Sequence, residues 1–356
     1  DIKKKKFSNI ENATIIIKQN VELIESKLDY IFKDLTVIID NFDYSCLNIS
    51  GFKKLNGSQV LKENISYILN SLKLAVTESE KQKTILHIFN TKSVLDGNEL
   101  ENLPIGLFGN FYNHELTFFL IENNDLKNLN QIFDKSNLRV KKIILKSFNE
   151  GTQLIKRDNI ENFFKLKFNK ENAEIIFFEN SSFRYSEIFD FGTNIILKDI
   201  SKVCSINNQM IMDILSDEIS NNNLDENEFL EEKYFTSGNY RKIRKKLIFD
   251  IAEARIDEVI KIIFNKNINI KTFKKNNYKV YFIIQDKIIC KSFEEIFKSH
   301  LSVSKNSELS STEDFAVDSS IVNAENLSIY GWKKEAIPIA LTKNSLITRI
   351  FKSIFG

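Results

Sequence analysis

Apolar residues in the first part of the chain recur at two different spacings. Between residues 10 and 31 they return every three or four positions, which is the spacing of one face of an α-helix. Ser8 followed by Glu11 has the form of a capping box, so this long helix is expected to begin there. Similar stripes predict helices at residues 58–76 and 125–135. Shorter apolar runs predict strands at residues 35–40, 84–89, 116–121 and 140–145.

The pattern changes after Gly151. Short apolar runs separated by turn residues predict an antiparallel meander at residues 163–168, 173–178 and 183–191. Further elements are predicted as helices at residues 207–215, 240–264, 292–299 and 321–332, with a strand at 278–284. Residues 216–232 carry many acidic side chains and no cation, which predicts a mobile polar loop.

Composition narrows the class of protein. The 356 residues are 42% hydrophobic and 28% charged, a balance typical of a soluble globular chain that is long enough for two domains. A formal net charge of +2 gives no general attraction to nucleic acid. The 3 cysteines are scattered, so neither a disulfide framework nor a zinc site is predicted, and a reducing cytoplasm is expected. Because the first residue is Asp1 and not methionine, we expect a trimmed chain.

The sequence offers no catalytic constellation. It contains no Ser/His/Asp order, H-E-x-x-H motif or P-loop. His87, His114 and His300 are isolated, and the alternating pattern around His87 favours a core or edge residue over a catalyst. We therefore predict a protein without enzymatic activity, catalytic residues or a metal site.

The last residues, 343–356, form an amphipathic pattern. Helical spacing gathers apolar side chains on one face and cations with small polar residues on the other. The positions expected to contact a membrane are Leu346, Ile347, Arg349, Ile350, Phe351, Lys352, Ile354 and Phe355. The segment is shorter than the roughly 20 residues that cross a bilayer, so we expect it to lie in the interface of an anionic membrane. The alternative is a helix that docks on the protein's own core.

A cluster of cations opens the helix predicted at residues 240–264. Its members are Arg241, Lys242, Arg244, Lys245 and Lys246. Positive charge at a helix N-terminus opposes the macrodipole, so a partner that neutralises these cations is one interpretation. A solvated basic face, partly balanced by the acidic segment, is the other.

Several stretches resemble the family of the bacterial cell-division protein FtsA, which belongs to the actin-like superfamily. ILHIF at 85–89, VLDG at 94–97 and NLPIGLFG at 102–109 are similar to one family signature in order and spacing. IAEARIDEVI at 251–260 is similar to the family's E-A-R helix, and the terminal amphipathic segment is a third match. The resemblance implies an α/β, actin-like (ribonuclease H-like) two-domain fold with an inserted, SHS2-like 1C subdomain.

The resemblance also implies a division of the chain into subdomains. Subdomain 1A would comprise residues 1–41 and 123–150, incomplete at its N-terminus, and 1C would comprise residues 42–122. Subdomain 2A would comprise residues 151–200 and 265–335, with 2B between them at 201–264. The linker and membrane helix would occupy residues 336–356.

The nucleotide signatures of that superfamily are missing here. Gly-rich turns in the superfamily let backbone N–H groups approach the phosphates of ATP, and an aspartate positions the metal ion. The resemblance places the second phosphate turn at Asn169, Lys170 and Asn172, and the adenosine turn at Gln285 and Asp286. The first phosphate loop has no counterpart in the sequence. We therefore expect a degenerate nucleotide site and assign no cofactor, ATP and magnesium included.

The resemblance implies a role in division. The chain is expected to tether FtsZ filaments of the Z-ring to the cytoplasmic face of the inner membrane at the septum. The FtsZ C-terminal peptide would bind at Arg241, Arg244 and Lys245, and self-association into a homopolymer would make many weak membrane helices effective together. Other divisome proteins are further expected partners. Two alternatives stay open: an ATP-binding enzyme of the actin and sugar-kinase type, and an actin-like adaptor of a pilus or secretion machine.

Overall fold

The computed structural model describes most of the chain. The described residues are 2–3, 6–7, 9–40, 42–217, 228–235, 240–273, 278–301, 307–310 and 317–336. The predicted membrane helix at 343–356 and most of the acidic segment at 216–232 lie outside them. Within the described residues, no helix has both the length and the apolar character needed to cross a membrane.

The chain mixes strands and helices. The strands are β1 (Ile2–Lys3), β2 (Lys6–Phe7), β3 (Asp34–Ile39), β4 (Tyr44–Lys54), β5 (Lys83–Leu95), β6 (Asn98–Leu100), β7 (Phe111–Glu122), β8 (Arg139–Leu145), β9 (Phe163–Phe168), β10 (Ala173–Glu179), β11 (Ser182–Phe189), β12 (Lys279–Ile284) and β13 (Ser307–Ser310). The α-helices are α1 (Ile10–Leu28), α2 (Lys62–Ser79), α3 (Asn123–Asp134), α4 (Lys146–Asp158), α5 (Asn194–Cys204), α6 (Asn208–Asp217), α7 (Lys245–Ile260), α8 (Ile268–Phe273), α9 (Lys287–Ser292), α10 (Glu294–Leu301) and α11 (Val317–Tyr330). A 3₁₀ turn at Glu232–Tyr234 and a π-helical turn at Lys261–Lys266 accompany them.

Apart from the short β1–β2 ribbon, these strands form three sheets. β3 and β8 pair in parallel. The second sheet is antiparallel, has the order β4-β7-β5-β6, and carries α2 on one face. The third has the order β11-β10-β9-β12-β13, in which an antiparallel meander continues into a parallel part because β12 returns to pair with β9. The second and third are called the four-stranded and five-stranded sheets below.

Aromatic side chains join the four-stranded and five-stranded sheets into one core. Phe119 of β7 stacks on Phe183 of β11 with ring centroids 4.2 Å apart. Phe89 of β5 meets Phe148 of α4 edge to face at 4.8 Å. All four rings are fully buried and belong to one apolar cluster. The two sheets therefore share a core at this boundary.

The chain after α11 returns to the free edge of β5. Asn90 donates its amide to the Lys334 carbonyl, and Ala336 donates its amide to the Ile88 carbonyl, both at 2.8 Å. Between them, the Glu335 carboxylate lies 2.9 Å from His87 Nδ1 and 3.3 Å from Lys142 Nζ. The described chain thus ends in an antiparallel β-bridge between Glu335 and Phe89 of the four-stranded sheet.

Most predicted elements are confirmed, with shifted ends. The first helix is capped by Asn9, whose side chain accepts a hydrogen bond from the Asn12 amide at 2.9 Å, and the predicted Ser8/Glu11 capping box is not the observed cap. The helix predicted from residue 58 begins at Lys62, because the amide of Val60 bonds the Leu107 carbonyl. The helix predicted from residue 240 begins at Lys245, because Arg244 forms a β-bridge with Phe229.

Several elements were not predicted, and the longest of them are β4, α4 and α5. The apolar pattern is weak in β4, which contains serine, asparagine and glycine. In α4 most of the buried positions are polar, so no apolar stripe marks its inner face. The segment between the strands predicted at 84–89 and 116–121 holds β6, which forms a hairpin with β5 through Asp96 and Gly97, both at positive φ.

Candidate functional site: the central cleft and two exposed surfaces

A cleft lies where the ends of β3, β4 and α4 face the five-stranded sheet. It encloses a cavity of about 330 Å³. Four of the residues predicted for the degenerate nucleotide loops line it together: Asn169, Lys170, Asn172 and Gln285. The fold thus brings the two predicted loops to one place, although about 110 residues separate them in sequence.

The backbone carbonyls of the turn between β9 and β10 accept hydrogen bonds from the start of α5. The Asn169 and Lys170 carbonyls accept the amides of Thr193 and Asn194 at 2.9 and 3.0 Å. Gly192 packs so closely that a Cβ there would lie 2.3 Å from the Asn169 carbonyl oxygen. The turn therefore fixes the start of α5.

Asp286 serves the helix that follows it. Its carboxylate accepts the amides of Ile288 and Ile289, each at 3.1 Å, and so caps α9. The neighbouring amide of Gln285 bonds the Phe168 carbonyl at 2.9 Å. The Asp286 carboxylate is therefore engaged in capping α9.

Buried lysines and a glutamate meet in the cleft. Lys165 and Lys167 alternate along β9, so both point to the same side, and both are buried. Glu150 of α4 forms an ion pair with Lys165, and its other oxygen lies 4.0 Å from Lys167 Nζ. Burial alone would raise the pKa of Glu150, but the two lysines outweigh it and hold that pKa below its usual range. Glu150 is therefore a carboxylate at neutral pH.

A second group, half-buried, contains Tyr44 and Glu174. The Tyr44 hydroxyl donates to the Glu174 carboxylate at 2.8 Å and lies 2.6 Å from the Ser186 hydroxyl. Burial, with a contribution from Glu174, raises the pKa of Tyr44 well above its usual value. Burial also raises the pKa of Glu174, which Glu150 and Asp40 raise further. The phenol thus stays protonated and serves as a hydrogen-bond donor.

The sequence analysis did not single out Glu150, Lys165, Lys167, Tyr44 or Glu174. One signal was available: two lysines at alternate positions of the apolar run FKLKF place charge on a face that is otherwise buried. Such a face requires a partner carboxylate from elsewhere in the chain. The sequence does not indicate which one, because Glu150 lies in the unpredicted α4.

These residues do not fit a magnesium nucleotide. The cleft contains four lysines, at 146, 165, 167 and 170, against four acids, Asp40, Glu150, Glu171 and Glu174. Lys146 lies 2.9 Å from Asp40, and Glu150 lies between its two lysines. Glu174 accepts the Tyr44 hydroxyl, Glu171 accepts the Asn194 side-chain amide, and no group of three metal-ligating side chains occurs among the described residues.

His87 and His114 serve structure. His87 contacts Glu335 and accepts the Leu145 amide at 3.4 Å. His114 is fully buried on β7, has no hydrogen-bond partner in the described part of the chain, and has its pKa lowered to about 4 by burial. Neither faces the cleft cavity.

The cations predicted to bind a peptide separate in the structure. Arg241 and Arg244 are exposed on the segment that precedes α7. Arg241 donates to the Ser205 carbonyl at the end of α5. Lys245 is only 8% exposed and forms an ion pair with Glu228 at 2.7 Å, so it does not belong to the exposed surface. The exposed basic pair is therefore Arg241 and Arg244.

A groove lies close to this basic pair. A cavity of about 320 Å³ lies between α6 and the 3₁₀ turn, lined by Asn207, Gln209, Met210, Asp213, Asp217, Lys233 and Tyr234. Asn207 is two residues from Ser205, which holds Arg241. Tyr240 and Leu247 are exposed on either side of the arginines. This surface offers apolar contacts beside positive charge.

Exposed apolar side chains crowd one end of the four-stranded sheet. We call this set the apolar tip: Phe52, Leu103, Ile105, Leu107, Phe108 and Phe111. Phe52 and Phe108 are 75% and 70% exposed. The Asp96 carboxylate accepts the amides of Asn110 and Phe111 and so fixes the loop. These hydrogen bonds fix the loop while its apolar side chains stay exposed, and such an exposed apolar patch is typical of an interaction surface.

Arg255, in the E-A-R stretch at 251–260, has a structural role. Its guanidinium pairs with Asp199 of α5 and lies 2.6 Å from Glu258. It therefore ties α7 to α5.

Comparison with known proteins identifies the fold. No protein-family model and no curated protein matches the sequence. Among solved structures, the chain is similar to a PilM-PilN type IV pilus biogenesis complex, with a TM-score of 0.54 and 8% identity over 92% of this chain and 85% of that chain. It is also similar to MreB 5 of Spiroplasma citri bound to AMPPNP (TM-score 0.36, 11% identity, 58% of this chain and 64% of that chain) and to apo psk41 ParM (0.37, 14%, 91% and 73%). At these identities the likeness concerns the fold alone. The predicted α/β, actin-like fold class is confirmed: the chain has the actin-like ATPase fold.

Proposed function

We propose that this protein is a non-catalytic actin-like adaptor, which binds a peptide of a larger assembly and links it to the cytoplasmic face of the inner membrane. One observation supports the proposed absence of catalysis: in the cleft Lys146 pairs with Asp40, and Lys165 pairs with Glu150. Phosphates entering such a cleft would have to separate Glu150 from Lys165 and Lys167, which leaves a buried carboxylate without its partners.

The non-catalytic part is tested by calorimetric titration of the full-length protein with ATP and Mg²⁺. We expect no heat of binding. Micromolar binding that depends on Mg²⁺ would overturn the proposal and restore the ATPase alternative.

For the assembly we propose cell division, with FtsZ as the partner. The support is the run of FtsA-like stretches at 85–109 and 251–260, together with the amphipathic segment at 343–356. The partner peptide would bind beside Arg241 and Arg244, because a guanidinium takes a carboxylate through two hydrogen bonds. Exposed charge pairs contribute about 0.2 to 1 kcal/mol each, so apolar contacts near Tyr240 and Leu247 would supply much of the affinity.

The peptide site is tested by affinity measurement with the FtsZ C-terminal peptide. We expect Arg241→Glu to weaken binding at least about tenfold, which corresponds to roughly 1.4 kcal/mol, and to leave liposome binding intact. Lys127→Glu on α3, where Lys127 is exposed, is the matched control and should bind as the unaltered protein does. Equal affinity for both variants would show that the peptide binds elsewhere.

The membrane link is tested by co-sedimentation of FtsZ with anionic liposomes. We expect FtsZ to reach the liposomes with the intact chain and to stay in solution when residues 343–356 are removed. FtsZ that remains in solution with both chains would contradict the division role.

The second candidate is an adaptor of a pilus machine. It is favoured by the structural likeness to the PilM-PilN complex, which extends over most of both chains. Overlapping peptides that cover PilN, offered beside the FtsZ peptide in one binding assay, separate the two roles. Selective binding of a PilN peptide would replace the division proposal, and selective binding of the FtsZ peptide would uphold it.

A further inference from the structure

The cleft is crossed by side chains that connect opposite walls. Tyr44 belongs to the four-stranded sheet, whereas Glu174 and Ser186 belong to the five-stranded sheet. The Tyr44 hydroxyl lies within 2.8 Å of both partners and 3.1 Å from Ser147 at the start of α4. One phenol therefore ties β4 to α4, β10 and β11 at a half-buried point.

The ion pairs of the cleft make a parallel connection. Glu150 projects from α4, which follows directly on β8 of the parallel sheet. Its carboxylate engages Lys165 and Lys167 on β9 of the five-stranded sheet. All three residues are buried, so solvent screens this attraction poorly.

A third connection crosses the same boundary further along the sheets. Arg184 of β11 is buried and pairs with Glu115 of β7 and Glu179 of β10. Its carbonyl accepts the Asn48 side-chain amide of β4 at 3.3 Å. The stacked rings of Phe119 and Phe183 lie in the same boundary.

We infer that these residues form a built-in clamp, which holds the two sides of the cleft in one arrangement without a bound nucleotide. The clamp consists of Tyr44, Glu150, Lys165, Lys167, Glu174 and Ser186. In the proposed adaptor role such a chain is always in its binding arrangement, so regulation must act on its surfaces and not on its cleft. The clamp goes beyond that role, because its test does not depend on which partner binds the surfaces.

The clamp is tested by amide hydrogen exchange of the full-length chain, followed in β4 and β11 with and without millimolar Mg·ATP. The unaltered protein should show slow exchange that nucleotide does not change. Tyr44→Phe keeps the ring and removes only the hydroxyl, and we expect it to speed exchange in both strands about tenfold while α2 keeps its protection. Tyr67→Phe, on the exposed surface of α2, is the matched control and should change nothing.

Glu150→Gln provides an independent second variant, because it removes charge with little change of shape. We expect faster exchange at the start of β9 and again no response to nucleotide. Nucleotide-dependent protection of the unaltered protein would overturn the clamp. Exchange in Tyr44→Phe as slow as in Tyr67→Phe would also overturn it, whether or not Glu150→Gln folds. Binding to the partner peptide is a separate readout, so loss of the clamp and loss of the adaptor role are distinguishable.

Discussion

The central cleft and the apolar tip use their side chains in opposite ways. In the cleft, lysines and acids that ordinarily face water are buried and satisfied by one another. At the tip, phenylalanines that ordinarily face a core are exposed on a loop held by hydrogen bonds. The comparison teaches that charged side chains can form part of the interior when they satisfy one another, while exposed apolar side chains remain available for contact at the surface.

The largest effect expected in the cleft comes from Glu150→Ala. This change leaves Lys165 and Lys167 buried without their partner, so we expect the free energy of unfolding to fall by about 3 to 5 kcal/mol. Urea denaturation measures it. Glu63→Ala, an exposed acid of α2, is the control and should stay within about 0.5 kcal/mol. A loss of similar size in both variants would show that the cleft charges are as dispensable as surface charges.

A smaller effect is expected from His114, in the same sheet as the tip but beneath α2. Burial lowers its pKa from 6.5 to about 4, so the unfolded state binds a proton more readily than the folded state between these values. Stability is therefore complete above about pH 6.5 and falls as the pH decreases towards 4, by roughly 2 kcal/mol at about pH 5. Thermal unfolding at several pH values should show this slope, and His114→Leu should flatten it. An unchanged slope in the variant would assign the pH dependence to other groups.

The smallest effect on stability, and the largest on association, is expected from Phe108→Ser at the tip. Because Phe108 is mostly exposed, the free energy of unfolding should change by less than about 0.5 kcal/mol. If the tip mediates self-association, sedimentation velocity should show smaller species than for the unaltered protein. Leu74→Ser, an exposed apolar residue of α2 outside the tip, should sediment unchanged. Equal sedimentation of all three proteins would remove the tip from self-association.

Elements with a regular apolar period could be predicted from the sequence. The meander β9-β10-β11 has alternating or fully apolar runs between clear turns, and α1 has a long stripe. The helix α4 could not be predicted, because its inner face is polar: Asn149, Thr152 and Gln153 are buried there. Asn323 of α11 donates to Asn149 at 2.7 Å and to Thr152 at 2.8 Å, so amides replace the apolar contacts that a pattern detects.

The candidate site was predictable in part for a similar reason. The loop residues Asn169 and Gln285 could be placed through the family resemblance, and the fold brings them to one cavity. The pairing of Glu150 with Lys165 depends on a contact between α4 and β9 that local sequence does not encode. The burial of Lys245 likewise depends on Glu228, which reaches it from another segment. Arg244 and Lys245 thus look alike in sequence, although Lys245 is buried and Arg244 is exposed.

The β-bridge between Glu335 and Phe89 has a mechanical consequence. A pulling force applied to the chain beyond Ala336 first meets the backbone hydrogen bonds to Ile88 and Asn90, and then the indole of Trp332, which donates to the Ser181 carbonyl at 2.7 Å. These contacts belong to the four-stranded and the five-stranded sheets respectively. A force applied there is therefore transmitted to both sheets close to Ala336. We expect it to strain the two sheets together before it separates one from the other.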